Sequence, residues 1–135
     1  MNLLVDTHIL IWTLLDDNNK IPKKARKLME DPDNPVYFSM VSVWEIITKH
    51  ASHPDQIPYS GKEFYEACLK SDYILLEGKI EHVLALESLH RSDDAPKHKD
   101  PFDRLLLAQA KTENLFFITH DAKFSDYDEP CVVIV

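Results

Sequence analysis

The sequence predicts one α/β domain over residues 1–135, with helices on both faces of a central parallel sheet of four to five strands. Short apolar runs of strand type alternate with longer helical segments, which is the pattern of a parallel sheet covered on both faces. A chain of 135 residues has the size of a single domain with a substantial core. No internal repeat, low-complexity tract or linker divides it. We therefore expect a three-layer α/β/α architecture.

The first half of the chain predicts two strands and four helices. Pro22 suits the start of the second helix, and Asp31 with Pro32 suits its end. Residues 51–60 hold two prolines and predict a loop. In chain order the elements are a strand at 3–5, a helix that follows Asp6 and Thr7, a helix at 23–30, a strand at 36–38, a helix that begins at Ser42, and a helix at 62–69.

The second half predicts three strands and two helices around a polar loop. The strands are apolar runs at 73–76, 115–119 and 131–135. Residues 80–89 and 102–112 predict helices, and the second of these is strongly apolar. The polar stretch 91–99 between them predicts a loop.

Glycine is scarce, and its scarcity excludes several kinds of site. The chain contains only Gly61 and Gly78, whereas average usage is about 7%. The sequence therefore lacks the glycine-rich loops that bind nucleotide phosphates, and it lacks the G-x-S-x-G nucleophile elbow.

The charge balance is acidic, with 15 basic and 23 acidic residues and a net charge of −8. This balance argues against nucleic-acid binding by bulk electrostatics, but it permits carboxylates gathered around a cation. Two distant cysteines, Cys68 and Cys131, fit a reducing cytosol. The apolar run 3–15 contains Asp6 and is too short to span a membrane, so we expect a cytoplasmic protein without targeting or membrane segments.

Several acids follow predicted strands or begin predicted helices. The carboxyl ends of parallel strands meet at one sheet edge, where ligands bind in open α/β sheets. Each acid alone fits a helix cap or turn; residues 42–45, for example, spell the S-x-x-E capping box. Taken together they would repel one another unless a cation lay among them. The acids in question are Asp6, Glu45, Asp100, Asp103 and Asp121.

A cluster of this kind predicts a hard, oxygen-seeking cation. All-carboxylate sites suit Mg²⁺ or Mn²⁺ better than zinc. One or two such ions activate water and stabilise the leaving oxygen of a phosphodiester. The pattern therefore predicts hydrolysis without a protein nucleophile.

Four segments in order resemble the PIN domain family, in particular the VapC-like toxin ribonucleases of bacterial toxin–antitoxin pairs. They are L-L-V-D-T-H at 3–8, S-V-W-E-I at 42–46, H-K-D-P-F-D-R-L-L-L-A-Q-A at 98–110 and I-T-H-D at 118–121. The resemblance covers the whole chain and implies a single PIN domain with Mg²⁺- or Mn²⁺-dependent endoribonuclease activity. It also implies an RNA substrate, a cognate antitoxin and a homodimer.

The resemblance places the catalytic, metal-binding acids at Asp6, Glu45, Asp103 and Asp121. Asp100 lies in a matched segment as an outer ligand, a supporting group or only a helix cap. Thr119 is expected to orient Asp121 or a water, and Thr7 to support the site. Arg104 is expected to pair with a motif carboxylate or to contact a phosphate.

Basic and aromatic side chains supply further candidates, each with an ordinary structural alternative. A cluster comprising Lys20, Lys23, Lys24, Arg26 and Lys27 could lie beside the RNA path or form a solvated helix face, and Lys49 is a weaker RNA candidate. The histidines beside motif acids are His8, His98 and His120, and they lack the spacing of a zinc site. His8 or His120 is expected to form a hydrogen bond near the acids, and each also has an ordinary structural explanation. Trp12 and Trp44 are expected to pack in the core, with base stacking as the alternative.

A second function stays open at this point. The chain could be a catalytically silent PIN-fold module that binds other proteins through its surface. Failure of a correctly folded protein to bind divalent ions would favour that alternative.

Overall fold

The computed structural model describes residues 1–17 and 19–135, and its centre is a five-stranded, fully parallel sheet. The strands are β1 (Leu3–Val5), β2 (Val36–Ser39), β3 (Ile74–Leu76), β4 (Phe116–Thr119) and β5 (Val132–Ile134). Their order across the sheet is β3-β2-β1-β4-β5. The predicted parallel sheet is therefore confirmed. Strand β1 has the predicted bounds, and the ends of the other strands differ from the predicted ones by at most one residue.

Six α-helices surround the sheet in the described part of the chain. They are α1 (Thr7–Leu14), α2 (Lys23–Glu30), α3 (Met40–Ser52), α4 (Gly61–Lys70), α5 (Ile80–Leu84) and α6 (Pro101–Thr112). Short 3₁₀ turns follow at Ala85–Ser88 and Ala122–Asp126. None of these helices is long and apolar enough to cross a bilayer.

Alternating side chains of the strands build a core on each face of the sheet. Leu3 and Val5 pack into the cluster that contains residues of α1, α2, α3 and α4. Leu4, which points the opposite way, packs with Leu106 and Leu107 of α6. Because successive strand side chains face opposite sides, the two clusters confirm the three-layer α/β/α architecture.

The start of α3 corrects one sequence expectation. The helix begins at Met40, and the Ser39 side chain caps it by accepting a hydrogen bond from the Val41 amide. The predicted start at Ser42, with its capping box to Glu45, is therefore wrong. Strand β2 passes into α3 without a loop, so the cap falls on the last strand residue, and Ser42 and Glu45 lie inside the helix.

The helix predicted at 80–89 is also shorter than expected. It ends at Leu84, and the chain tightens into the 3₁₀ turn. The Ser88 hydroxyl donates to the Ala85 carbonyl, and the Lys111 ammonium donates to the Ser88 carbonyl. The first bond uses a carbonyl that a helix continuing to residue 89 would have paired with the Leu89 amide.

The connections place a topological switch point between β1 and β4. The chain moves outward from β1 to β2 and β3 on one side, and β4 and β5 lie on the other. Ligands of open α/β sheets bind outside the carboxyl ends of strands at such a point. The residues that follow β1 and β4 are thereby placed where a ligand is expected.

Candidate active site

Asp6 lies at this switch point, directly after β1. Its amide donates to the Ile118 carbonyl of β4, which fixes the backbone. Its Oδ1 accepts from the Thr7 amide at 2.7 Å, so the residue also caps α1 as the sequence suggested. The side chain is buried, with an exposed fraction for the residue of 5%. A carboxylate in this position is held rigidly before any ligand arrives.

Thr119, the last residue of β4, connects two of the predicted acids. Its hydroxyl donates to Oδ2 of Asp6 at 2.7 Å and accepts from the Asp121 amide at 3.1 Å. The expectation was that Thr119 would orient Asp121 or a water. The structure shows instead that its hydroxyl orients the Asp6 carboxylate and fixes the backbone of Asp121.

Thr119→Val should weaken Mn²⁺ binding by about 10- to 100-fold, since supporting groups of metal ligands have effects of this size. The substitution keeps the side-chain shape but removes the donor to Asp6. Isothermal titration calorimetry measures the affinity. Thr112→Val is the matched control, because its hydroxyl donates to a carbonyl within α6. Equal affinities for wild type and Thr119→Val would contradict this role.

Glu45 lies in α3 and is almost fully buried beside the first helix. Its Oε1 accepts from the Thr7 hydroxyl at 2.7 Å, and the Ser42 hydroxyl lies 2.8 Å from the same Thr7 oxygen. Its Oε2 pairs with the Lys49 ammonium one turn later. Burial tends to lower the pKa of Lys49, but the contact with Glu45 and the nearby acids raise it overall. The negative charge of Glu45 is thus already paired with the ammonium of Lys49.

The other acids come from the start of α6 and the end of β4. Asp100 is the N-cap of α6, and its Oδ1 accepts from the amides of Phe102 and Asp103. Asp103 lies in the first turn of α6, with most of its side chain buried. Asp121 accepts from the Lys123 amide at 2.9 Å. The cap interpretation of Asp100 is correct, and the carboxylate of Asp103 takes no part in the cap.

The acids perturb one another. Burial raises the pKa of Asp6 to about 6, although the bond from Thr119 opposes the shift. Burial, followed by the charges of Asp6, Asp100, Glu45 and Asp121, raises the pKa of Asp103 to about 8. Burial is thus the main cause of both shifts, and the neighbouring carboxylates add to it, most of all at Asp103.

These side chains open onto a cavity of about 330 Å³. Its walls carry carboxylates, two ammonium groups, two imidazoles and an indole, contributed by Asp6, Asp100, Asp103, Asp121, Lys49, Lys123, His8, His120, Trp12 and the aliphatic Ile9. Glu45 does not line the cavity and reaches it only through Lys49. The cavity therefore brings three of the four predicted ligands together and sets the fourth behind them.

The donor set fits a hard divalent cation. The oxygens are carboxylates, and the raised pKa values of Asp6 and Asp103 show that added positive charge would be favourable there. Within residues 1–17 and 19–135, no three His, Cys, Asp or Glu side chains already stand close enough to hold a metal ion. Small side-chain movements, including exchange of the Lys49 contact, would be part of binding.

His98 contacts Asp103 directly, which the sequence interpretation did not single out. Its Nε2 lies 3.1 Å from Oδ2 of Asp103, and its Nδ1 lies 2.7 Å from the Tyr127 hydroxyl. Burial raises the pKa of Tyr127, and the nearby Arg91 and Arg104 oppose this shift. Among the described residues, Arg104 therefore lies near a tyrosine and forms no ion pair with a motif carboxylate. Only the position of His98 just before the α6 cap hinted at this contact, since Tyr127 is distant in sequence.

The remaining candidates are distributed over the surface. Lys20 and Lys49 line a neighbouring depression, which shares His8 and Trp12 with the acidic cavity. Lys23, Lys24 and Lys27 are exposed on α2 and do not line the acidic cavity. Trp12 is half-buried and makes an edge contact with the His120 ring, whereas Trp44 is 53% exposed and packs on Phe102. The core assignment is therefore wrong for Trp44, because its face of α3 points outward.

Comparisons with known proteins agree with this architecture. The sequence pattern that defines the PIN domain family matches residues 3–130. One chain of the solved VapBC2 complex from Rickettsia felis, bound to a DNA fragment from their promoter, superposes with a TM-score of 0.66. The match covers 100% of this chain and 98% of the other, at 14% sequence identity, so it shows a shared fold. No curated protein matches the chain in sequence.

Proposed function

The chain belongs to the PIN domain family, whose members are generally nucleases, and on that premise we propose that it is a metal-dependent endoribonuclease. It hydrolyses RNA phosphodiester bonds and acts as the toxin of a toxin–antitoxin pair. The observation that carries the proposal is the group of mutually perturbed carboxylates around the switch point, with the pKa of Asp103 raised to about 8. Buried carboxylates with raised pKa values lower the stability of the fold, and such groups are concentrated at functional sites, here one suited to a cation.

Each acid has a distinct part in this proposal. Asp6, Asp103 and Asp121 would hold Mg²⁺ or Mn²⁺ from the cavity wall. Glu45, whose carboxylate pairs with Lys49 behind the cavity, would join them from α3. When bound, the ion supplies Lewis-acid chemistry, activating water and stabilising the leaving 3′ oxygen. Thr119 keeps the Asp6 carboxylate in one orientation, and Thr7 does the same for Glu45. Lys49 balances the charge of Glu45 and remains available at the cavity for a phosphate oxygen.

The proposed partners are suggested by the comparison with the solved VapBC2 complex. The similarity in fold to a chain of a VapBC2 complex supports a cognate antitoxin protein that restrains the enzyme. We infer a homodimer and a cytoplasmic location, in line with two free cysteines. Of the predicted RNA-contacting lysines, Lys49 and Lys20 are the better candidates, because Lys49 lines the acidic cavity and Lys20 lines the neighbouring depression.

The test is metal-dependent cleavage by the purified protein. RNA incubated with the protein should be cut when Mg²⁺ or Mn²⁺ is present and remain intact in EDTA. Calorimetric titration with Mn²⁺ should show binding to the same preparation. A correctly folded protein that neither binds Mn²⁺ nor cuts RNA would instead support the silent binding module.

A further inference from the structure

A second cavity, of about 400 Å³, adjoins the acidic one and has the opposite charge. Four cationic side chains line it: Arg91, Lys97, Lys99 and Arg104. His98 and Tyr127 complete its wall. Since His98 contacts Asp103, which lines the acidic cavity, a single side-chain contact separates the two cavities. We call this second cavity the basic pocket.

The positive charge of the basic pocket is largely uncompensated. Arg91 pairs with Asp126 at 3.3 Å. Among the described residues, no ion pair involves Lys97, Lys99 or Arg104. The Nε–H of Arg91 is buried without a hydrogen-bond acceptor, and buried donors are normally paired. In a chain of net charge −8, such a concentration of unpaired donors favours an anionic ligand.

Helix α6 explains why opposite charges lie so close together. Adjacent helical residues point in directions about 100° apart, so Asp103 and Arg104 face different cavities. A chain of hydrogen bonds connects the two sides. The Tyr127 hydroxyl lies 2.7 Å from Nδ1 of His98, and Nε2 of His98 lies 3.1 Å from Oδ2 of Asp103. The basic pocket is therefore held in fixed register with the acidic cavity.

We propose that the basic pocket binds a backbone phosphate of the RNA next to the phosphate that is cut. This inference rests on the proposed function, and it names a subsite for the same substrate. A polyanion is repelled by the carboxylates of the acidic cavity, so its affinity must come from cations close by. The basic pocket supplies four of them one side chain away from Asp103, together with donors suited to phosphate oxygens.

The test is the RNA affinity of Lys97→Gln/Lys99→Gln in EDTA, where no cutting occurs. Both lysines are exposed, so the fold should tolerate the change. Fluorescence anisotropy with a short, labelled single-stranded RNA gives the affinity over a range of salt concentrations. One neutralised phosphate contributes about 0.7 to the salt slope of a single strand, so loss of this contact should reduce the slope by about 0.7. That change in slope corresponds to about fourfold weaker binding near 0.15 M salt.

Lys62→Gln/Lys70→Gln removes the same charge from α4 and is the matched control. Binding close to wild type in the control, with the loss confined to the first variant, supports the basic pocket. Equal losses in both variants would indicate bulk charge and overturn the subsite, as would unchanged binding in Lys97→Gln/Lys99→Gln. Lysine-dependent binding without any metal-dependent cleavage would support the subsite and count against the proposed enzyme. Cleavage with unaffected binding would do the reverse.

Discussion

Asp6→Asn should reduce metal-dependent RNA cleavage by about 10²- to 10³-fold, the range seen when one stabilising group is removed from an active site. Asparagine has the same shape and retains an oxygen that accepts from the Thr7 amide, so α1 keeps its cap. The negative charge that faces the cavity is lost. The fold should therefore persist while the site loses the buried carboxylate that follows β1.

The measurement compares initial cleavage rates of wild type and variant at saturating Mn²⁺, with circular dichroism to confirm folding. Asp55→Asn is the control for a change of one charge, because Asp55 is exposed in the loop after α3. It should cut RNA at the wild-type rate. Calorimetry on the same samples should show that Mn²⁺ binding weakens only in Asp6→Asn. Cleavage by Asp6→Asn at the wild-type rate would rule out the proposed role of this acid.

Periodicity explains why the fold was predictable. Short apolar runs such as Leu3–Val5 bury side chains on both faces, and only a sheet covered on both sides satisfies them. The switch point then places Asp6 beside Thr119, because β1 and β4 pair in parallel. The approximate position of these two residues could thus be inferred before any coordinates were known.

The predictions that were wrong concern features that depend on packing between distant segments. The S-x-x-E pattern at 42–45 satisfies the capping-box rule, yet the start of α3 is set by β2 running straight into the helix. Glu45 is consequently turned toward Thr7 and Lys49 rather than toward its own helix end. The exposed face of Trp44 could not be read locally either, since an apolar helix residue normally signals a core.

The basic pocket shows the same limit for charged residues. Arg104 follows Asp103 directly, so a pairing with carboxylates was a reasonable expectation. The helix turns the arginine away from the acids and toward Tyr127, whose position depends on the 3₁₀ turn after β4. No spacing in the sequence predicts that Arg91 lines the basic pocket. The fold places its guanidinium over the Tyr127 ring, 5.0 Å from the ring centre.

Asp103→Asn should stabilise the metal-free protein, in contrast to most substitutions of partly buried polar residues. The pKa of Asp103 is raised to about 8 from an ordinary value of 3.8, so the unfolded chain releases this proton first as pH rises. The contribution of Asp103 to the free energy of unfolding of wild type is then highest below pH 4, falls between about pH 4 and 8, and is level above. Asparagine has no proton to lose and escapes this penalty. The variant should be more stable by on the order of 2–4 kcal/mol near pH 8, with little difference near pH 4.

Urea unfolding in EDTA at several pH values measures the difference, and Asp55→Asn serves as the exposed control that should follow wild type. Saturating Mn²⁺ should reverse the order, because a ligand that binds only the folded state adds about 2.7 kcal/mol at a concentration 100 times its dissociation constant. Wild type gains this increment, and Asp103→Asn gains much less. A variant that is less stable than wild type at pH 8 in EDTA would show that the Asp103 carboxylate serves the fold. The expected order would mean that the Asp103 carboxylate destabilises the metal-free fold. Such a destabilising group is typical of functional sites, here one that binds a cation.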